Sequence, residues 1–123
     1  FEYIIKAANQ SHPKAQYTLG AMYYLGIGVP IDFEKAFSWM SLSANKGYLD
    51  AQHNLAEMYE NGKGVKKNLE KAYEYYLSAA RKGNLDSQQK VAEMYKEGIG
   101  TEKNIEKSEY WLNQIEESKG ISQ

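Results

Sequence analysis

From Ala15 onward the apolar residues recur with the spacing of a helix. Ala15, Leu19, Met22 and Tyr23 fall at i, i+4, i+7 and i+8, one side of a helix with a period of 3.6. The spacing returns at Ala51, Leu55, Met58 and Tyr59, and again at Ser87, Val91, Met94 and Tyr95. A second set lies between these runs: Ala36, Trp39, Met40 and Ser43, then Ala72, Tyr75, Tyr76 and Ala79, then Ser108, Trp111, Leu112 and Ile115. The pattern predicts two helices per unit. Small residues at the alanine positions let helices approach to about 8–10 Å, and large ones fill the space between layers. Tyr23, Tyr59, Tyr95, Trp39, Tyr75 and Trp111 are therefore expected in the core, not on a base-stacking platform.

The units repeat without a gap. Residues 15–50 set against 51–86 agree at 16 of 36 positions, and a third copy from Ser87 keeps Gln88, Met94, Tyr95, Gly98, Gly100, Glu106 and Lys107 in register. Tyr3 and Ala8 precede Trp39 and Ala44 by the same interval, so 1–14 reads as the second half of a truncated repeat. The expected organisation is one solenoid domain: 1–14, a repeat at 15–50, a repeat at 51–86, and a repeat with a C-terminal cap at 87–123. Such a unit buries its apolar face only against its neighbours. The fold class expected is all-α, a right-handed solenoid of antiparallel helix pairs.

The punctuation agrees. Asp32, Asn68 and Asn104 stand before the second helix, where a short polar side chain accepts from free backbone N–H groups. Glu34, Glu70 and Glu106 follow in the first turn, against the positive helix end. Gly47 and Gly83 stand where that helix should stop. Between the two helices lie GIGV, GKGV and GIGT. A dinucleotide fingerprint needs a preceding strand and a third glycine, and a phosphate loop needs GK[ST]. Three copies in one phase predict a tight turn instead, with positive φ at one glycine and with Val29 and Val65 tucked against the core, Thr101 less so.

The pattern A-Q-x-x-L-G/A-x-M-Y-x-x-G-x-G-V, then D/N-x-E-K-A-x-x-W/Y and A-A-x-x-G, resembles the Sel1-like repeat, a relative of the tetratricopeptide repeat with a longer interhelical loop. Leu19, Gly20, Tyr23, Gly26, Gly28, Val29, Lys35, Ala36, Trp39, Ala44 and Gly47 carry the match, which covers nearly the whole chain. The third copy departs from it at Thr101, Ser108, Glu116 and Lys119, with Gly120 one place late. These polar replacements predict an outer face closing the array, with EESKGISQ as its end. Tyr3, Ile4, Ala7 and Ala8 form an apolar stripe with no partner helix, expected to be exposed and to self-associate with another copy or collapse onto its own repeat.

Composition narrows the chemistry. With 15 basic and 16 acidic side chains, the net charge of −1 offers no field for nucleic acid or an acidic membrane surface. The absence of cysteine rules out disulfides and thiolate metal sites but leaves the compartment open. No run approaches the roughly 18 apolar residues that cross a bilayer, so no membrane insertion is expected. FEYIIKAANQ lacks a starting Met and a signal design, and reads as the interior of a longer protein or a processed product. His12 and His53 lie out of repeat phase and suggest neither a metal pair nor a Ser-His-Asp arrangement. The pairs Glu57 with Glu60 and Glu116 with Glu117 read as solvated helix faces. No catalytic, cofactor or metal site is expected.

Function is then expected from a surface. The resemblance implies that the first helix of each unit lines a concave groove. Its non-core positions are Tyr17, Ala21 and Tyr24, then His53, Glu57 and Glu60, then Gln89, Glu93 and Lys96, each set at i, i+4, i+7. The groove would run from aromatic to acidic to mixed charge and bind a protein or peptide. Tyr17 and Tyr24 are expected to anchor it, and Glu57 and Glu60 to select a basic residue. The leading reading is a scaffold or adaptor in bacteria. Alternatives are a dedicated neutraliser of one effector, such as an immunity protein, and an enzyme, since some members of the resembled family are linked to β-lactam binding or hydrolysis. Those members are cysteine-rich, and this chain has no cysteine.

Overall fold

The structure, a computed structural model, describes residues 2–120. Expectations placed on Phe1 and on the final segment 121–123 lie outside the described residues. The chain forms α1 (Glu2–Asn9), α2 (Pro13–Leu25), α3 (Phe33–Asn45), α4 (Leu49–Asn61), α5 (Leu69–Arg81), α6 (Leu85–Glu97) and α7 (Ile105–Ser118). No strand occurs among the described residues, and the architecture is an α-solenoid of helix pairs. Helices α2, α4 and α6 are the first helices of successive units, α3, α5 and α7 the second, and α1 ends in register with α3.

Local chemistry sets these boundaries. Asp32, Asn68 and Asn104 each accept from the backbone N–H three residues on, at 3.1, 3.0 and 3.0 Å. This satisfies a donor that the first helical turn otherwise leaves open. The first helices end differently. Gly26, Gly62 and Gly98 cap them in the left-handed conformation, and each donates its N–H to the methionine four residues back. Helix α7 is one residue longer than each of α2 to α6, consistent with the displaced Gly120.

Two apolar clusters build the interior. One joins Ala36, Met40, Ala44, Ala51, Leu55 and Met58. The other joins Ala56, Ala72, Tyr76, Ala80, Val91, Met94 and Tyr95. A polar ladder runs beside them. Gln16, Gln52 and Gln88, all buried, donate their Nε2 to the carbonyls of Ala8, Ala44 and Ala80 at 3.3, 3.2 and 3.0 Å. Each bond ties a first helix to the second helix of the unit before it. Gln52 also accepts from Ser78 Oγ at 3.1 Å, where the first unit has Leu42.

Several expectations need correction. Both glycines of each Gly-x-Gly turn have positive φ, not one, because the first caps a helix and the second reverses the chain. Of the six aromatic residues expected in the core only Tyr95 is buried; the other five are half-buried, and of these Tyr23, Tyr59, Tyr75 and Trp111 pack on the clusters from the side. The fully enclosed aromatic is Tyr76. Leu112, in the same register, is 40% exposed because no described helix follows α7 to cover it. Ser108 does not belong to an outer face: it is buried and donates to the Ala92 carbonyl at 2.8 Å. At the N-terminal edge Tyr3 is exposed, but Ala8 is buried against α2, so the apolar stripe is partly covered within the chain.

Candidate binding groove

Helices α2, α4 and α6 lie in sequence along one side, and two adjoining pockets open there. The first, of about 220 Å³, is lined by Tyr17, Ala21, Tyr24 and Leu25 of α2, Met40 of α3, and Asn54, Glu57 and Met58 of α4. Its tyrosines are braced. Tyr17 packs on Tyr48 at 5.3 Å between ring centres and accepts from Asn54 Nδ2 at 3.4 Å. Tyr24 packs on Phe33 at 5.2 Å. Rings held this way lose little freedom on binding and still offer an apolar face and a hydroxyl.

The second pocket, of about 270 Å³, is lined by His53 and Glu57 of α4 and by Asp86, Gln89, Lys90 and Glu93 of α6. Glu57 lines both. His53 is fixed by its Nδ1 contact with Ser87 Oγ at 2.9 Å and by edge packing on Tyr76, and its Nε2 lies 3.7 Å from Glu57 Oε1. Lys90, the pocket's lysine, is committed elsewhere: its Nζ sits 3.3 Å from both Glu60 carboxylate oxygens. Glu57, Asp86 and Glu93 are left to dominate the field of this pocket.

The structure thus brings together Tyr17, Ala21, Tyr24 and Glu57 in one pocket and His53, Glu57, Gln89 and Glu93 in the next. Glu60 and Lys96 line neither. Glu60 accepts from Tyr76 Oη at 2.6 Å as well as from Lys90, and this holds its carboxylate inward. Burial first, then the hydrogen bond and charge of Glu60, push the Tyr76 phenol far above the ordinary tyrosine range. Lys96 is exposed in the last turn of α6. Sequence reasoning missed Asn54, Leu25, Asp86 and Lys90. Asp86 stands in the first turn of α6, one turn before Gln89 and Lys90, and that spacing was the available signal.

A family model described as the Sel1 repeat matches residues 13–48, 49–84 and 85–115. No curated protein matches the chain. Among solved structures, a protective antigen of uropathogenic Escherichia coli displaying an SLR fold superposes with a TM-score of 0.91 at 33% identity, over 95% of this chain. A Sel1 repeat protein from Oxalobacter formigenes gives 0.85 at 35% identity over 88% of this chain. This chain spans 25% of the first and 44% of the second of those proteins. Cysteine rich protein B of Helicobacter pylori shares the fold, with a TM-score of 0.71 at 24% identity, over 98% of this chain and 90% of that one.

Proposed function

The chain belongs to the Sel1 repeat family, whose members are in general protein interaction scaffolds, and we propose that it binds a segment of a partner protein along α2, α4 and α6. The observation that carries this reading is the sharing of Glu57 between an apolar, tyrosine-walled pocket and an acidic one. A segment with a bulky apolar side chain and a basic residue a short distance along fits that order. Tyr17 and Tyr24 supply the anchoring surface. The basic residue meets Glu57, Asp86 and Glu93, while Glu60 holds α5 and α6 together from behind.

Short synthetic peptides with one tryptophan and one arginine at varied separation test this by titration calorimetry. The expected result is saturable binding that weakens about tenfold or more in Tyr17→Ala and Tyr24→Ala and falls with added salt and in Glu57→Gln. Peptides that bind equally well to all these variants, or to none of the proteins, would remove the proposal.

A further inference from the structure

The turn between α2 and α3 carries an apolar group that the described residues leave exposed. Leu25, Ile27 and Ile31 are 60%, 55% and 59% exposed. The other repeats provide an internal control. At the same register the second unit has Asn61, Lys63 and Lys67, and the third has Glu97, Ile99 and Lys103, all exposed. Those two turns each have a preceding unit packed against them: a Cβ on Gly64 would lie 2.0 Å from the Phe33 carbonyl oxygen, and one on Gly100 2.3 Å from that of Leu69. Lys63 reaches back to the preceding unit, its Nζ 4.9 Å from the centre of the Phe33 ring, yet all three flanking positions stay exposed. Stacking of one unit on the next touches this register without burying it, so the apolar character of the first turn needs another explanation.

Its place suggests one. Leu25 is both a member of the trio and a wall of the tyrosine pocket. Ile31 lies against Gly26, the next residue, with Cγ1 2.7 Å from where a Cβ there would stand. The apolar surface therefore continues from Tyr17, Ala21 and Tyr24 across Leu25 to Ile31, while the other end of the groove is acidic. We propose that this turn is the outer half of the binding site, and that the partner is a protein segment with a cluster of aliphatic side chains at one end and a basic residue at the other. The inference rests on the groove reading for the direction of the segment. Charge favours a protein over a lipid surface, because Glu57, Asp86 and Glu93 at the far end repel anionic headgroups.

Two peptides test it, one with a tryptophan and an arginine, the other identical but extended by three leucines on the side of the tryptophan away from the arginine. They are titrated into the wild type and into two double variants that leave Leu25, a wall of the tyrosine pocket, in place. One carries Ile27→Lys and Ile31→Lys, the residue type of the second unit at both positions; the other carries Ile27→Ser and Ile31→Ser, which leaves the charge alone. Both use residue types suited to exposed turn positions, and circular dichroism verifies that they fold. The extended peptide should bind the wild type about tenfold more tightly than the short one. Both variants should lose that gain and keep the short peptide's affinity.

The inference is overturned if the leucines add nothing in the wild type, or if the gain survives in both variants. Patch-dependent binding to phosphatidylcholine vesicles would overturn it in favour of a membrane, and a patch-dependent dimer in sedimentation in favour of a second copy. If only the extended peptide binds, and through Ile27 and Ile31, the outer site stands and the tyrosine-anchored groove falls. If neither peptide binds, both fall.

Discussion

The turns between α2 and α3 and between α4 and α5 share Gly-x-Gly-Val and nearly the same backbone, but among the described residues only the second meets the start of an earlier second helix, since the position one repeat before Phe33 lies ahead of residue 1. Gly64, at φ +74, presses on the carbonyl of Phe33, with room for no side chain at all. Gly28, at φ +76, has Met22 Cε at 3.7 Å from a built Cβ, an ordinary contact. Two requirements on the same residue type can therefore be told apart within the described residues. Gly28 there meets only the conformational one; Gly64 meets that and the close approach of two units.

Alanine substitution separates the two requirements. Gly64→Ala should destabilise by about 3 kcal/mol or more, combining left-handed strain with displacement of the next unit. Gly28→Ala should cost only the strain, about 1–2 kcal/mol. Urea denaturation of both variants checks this, and equal costs would break the comparison.

A second difference between these units is chemical. Met40 of the first unit corresponds to Tyr76 of the second, whose phenol is held protonated by burial and by Glu60. With the folded-state pKa raised above the unfolded value of about 10, the contribution is complete below pH 10. It is lost as pH rises further, because only the unfolded chain releases the proton. Stability should decline by about 1.4 kcal/mol per pH unit above that point from this group. Tyr76→Phe should flatten the dependence measured by denaturation between pH 9 and 11. Tyr59 and Tyr73, raised chiefly by burial, add a weaker dependence that remains in the variant.

The smallest expected effect lies at the first boundary. Ser11, at φ +66, occupies the position that Gly47 and Gly83 fill in later units. Ser11→Gly should stabilise the α1–α2 joint by about 1 kcal/mol, visible as a higher thermal midpoint. No gain there would mean that the strain at this edge is relieved by other means.

Much of this architecture was legible in the chain. The period, the Asp32, Asn68 and Asn104 caps and the turns follow from local rules, because each depends on residues within one helical turn of each other. The groove was legible only in part. Tyr17, Ala21 and Tyr24 share a helix face and could be grouped from spacing alone. The fate of Glu60 could not, since its partners Tyr76 and Lys90 lie 16 and 30 residues away and meet it only through the packing of α4, α5 and α6. The buried glutamines were hidden for a similar reason. Each Gln Nε2 reaches a carbonyl eight residues back across an interhelical turn, and a polar residue in a helix reads as surface until that neighbour is known.

Every extensive helix contact joins neighbours in sequence, α1 with α2 and so on to α6 with α7. No long loop has to close before packing begins, so order can start at any joint and spread outward like a zipper. An outer helix leaves by breaking one interface, whereas α4 or α5 must break two. A segment laid along α2, α4 and α6 would bridge successive links of this short lattice, so filling the groove and stiffening the array become a single equilibrium.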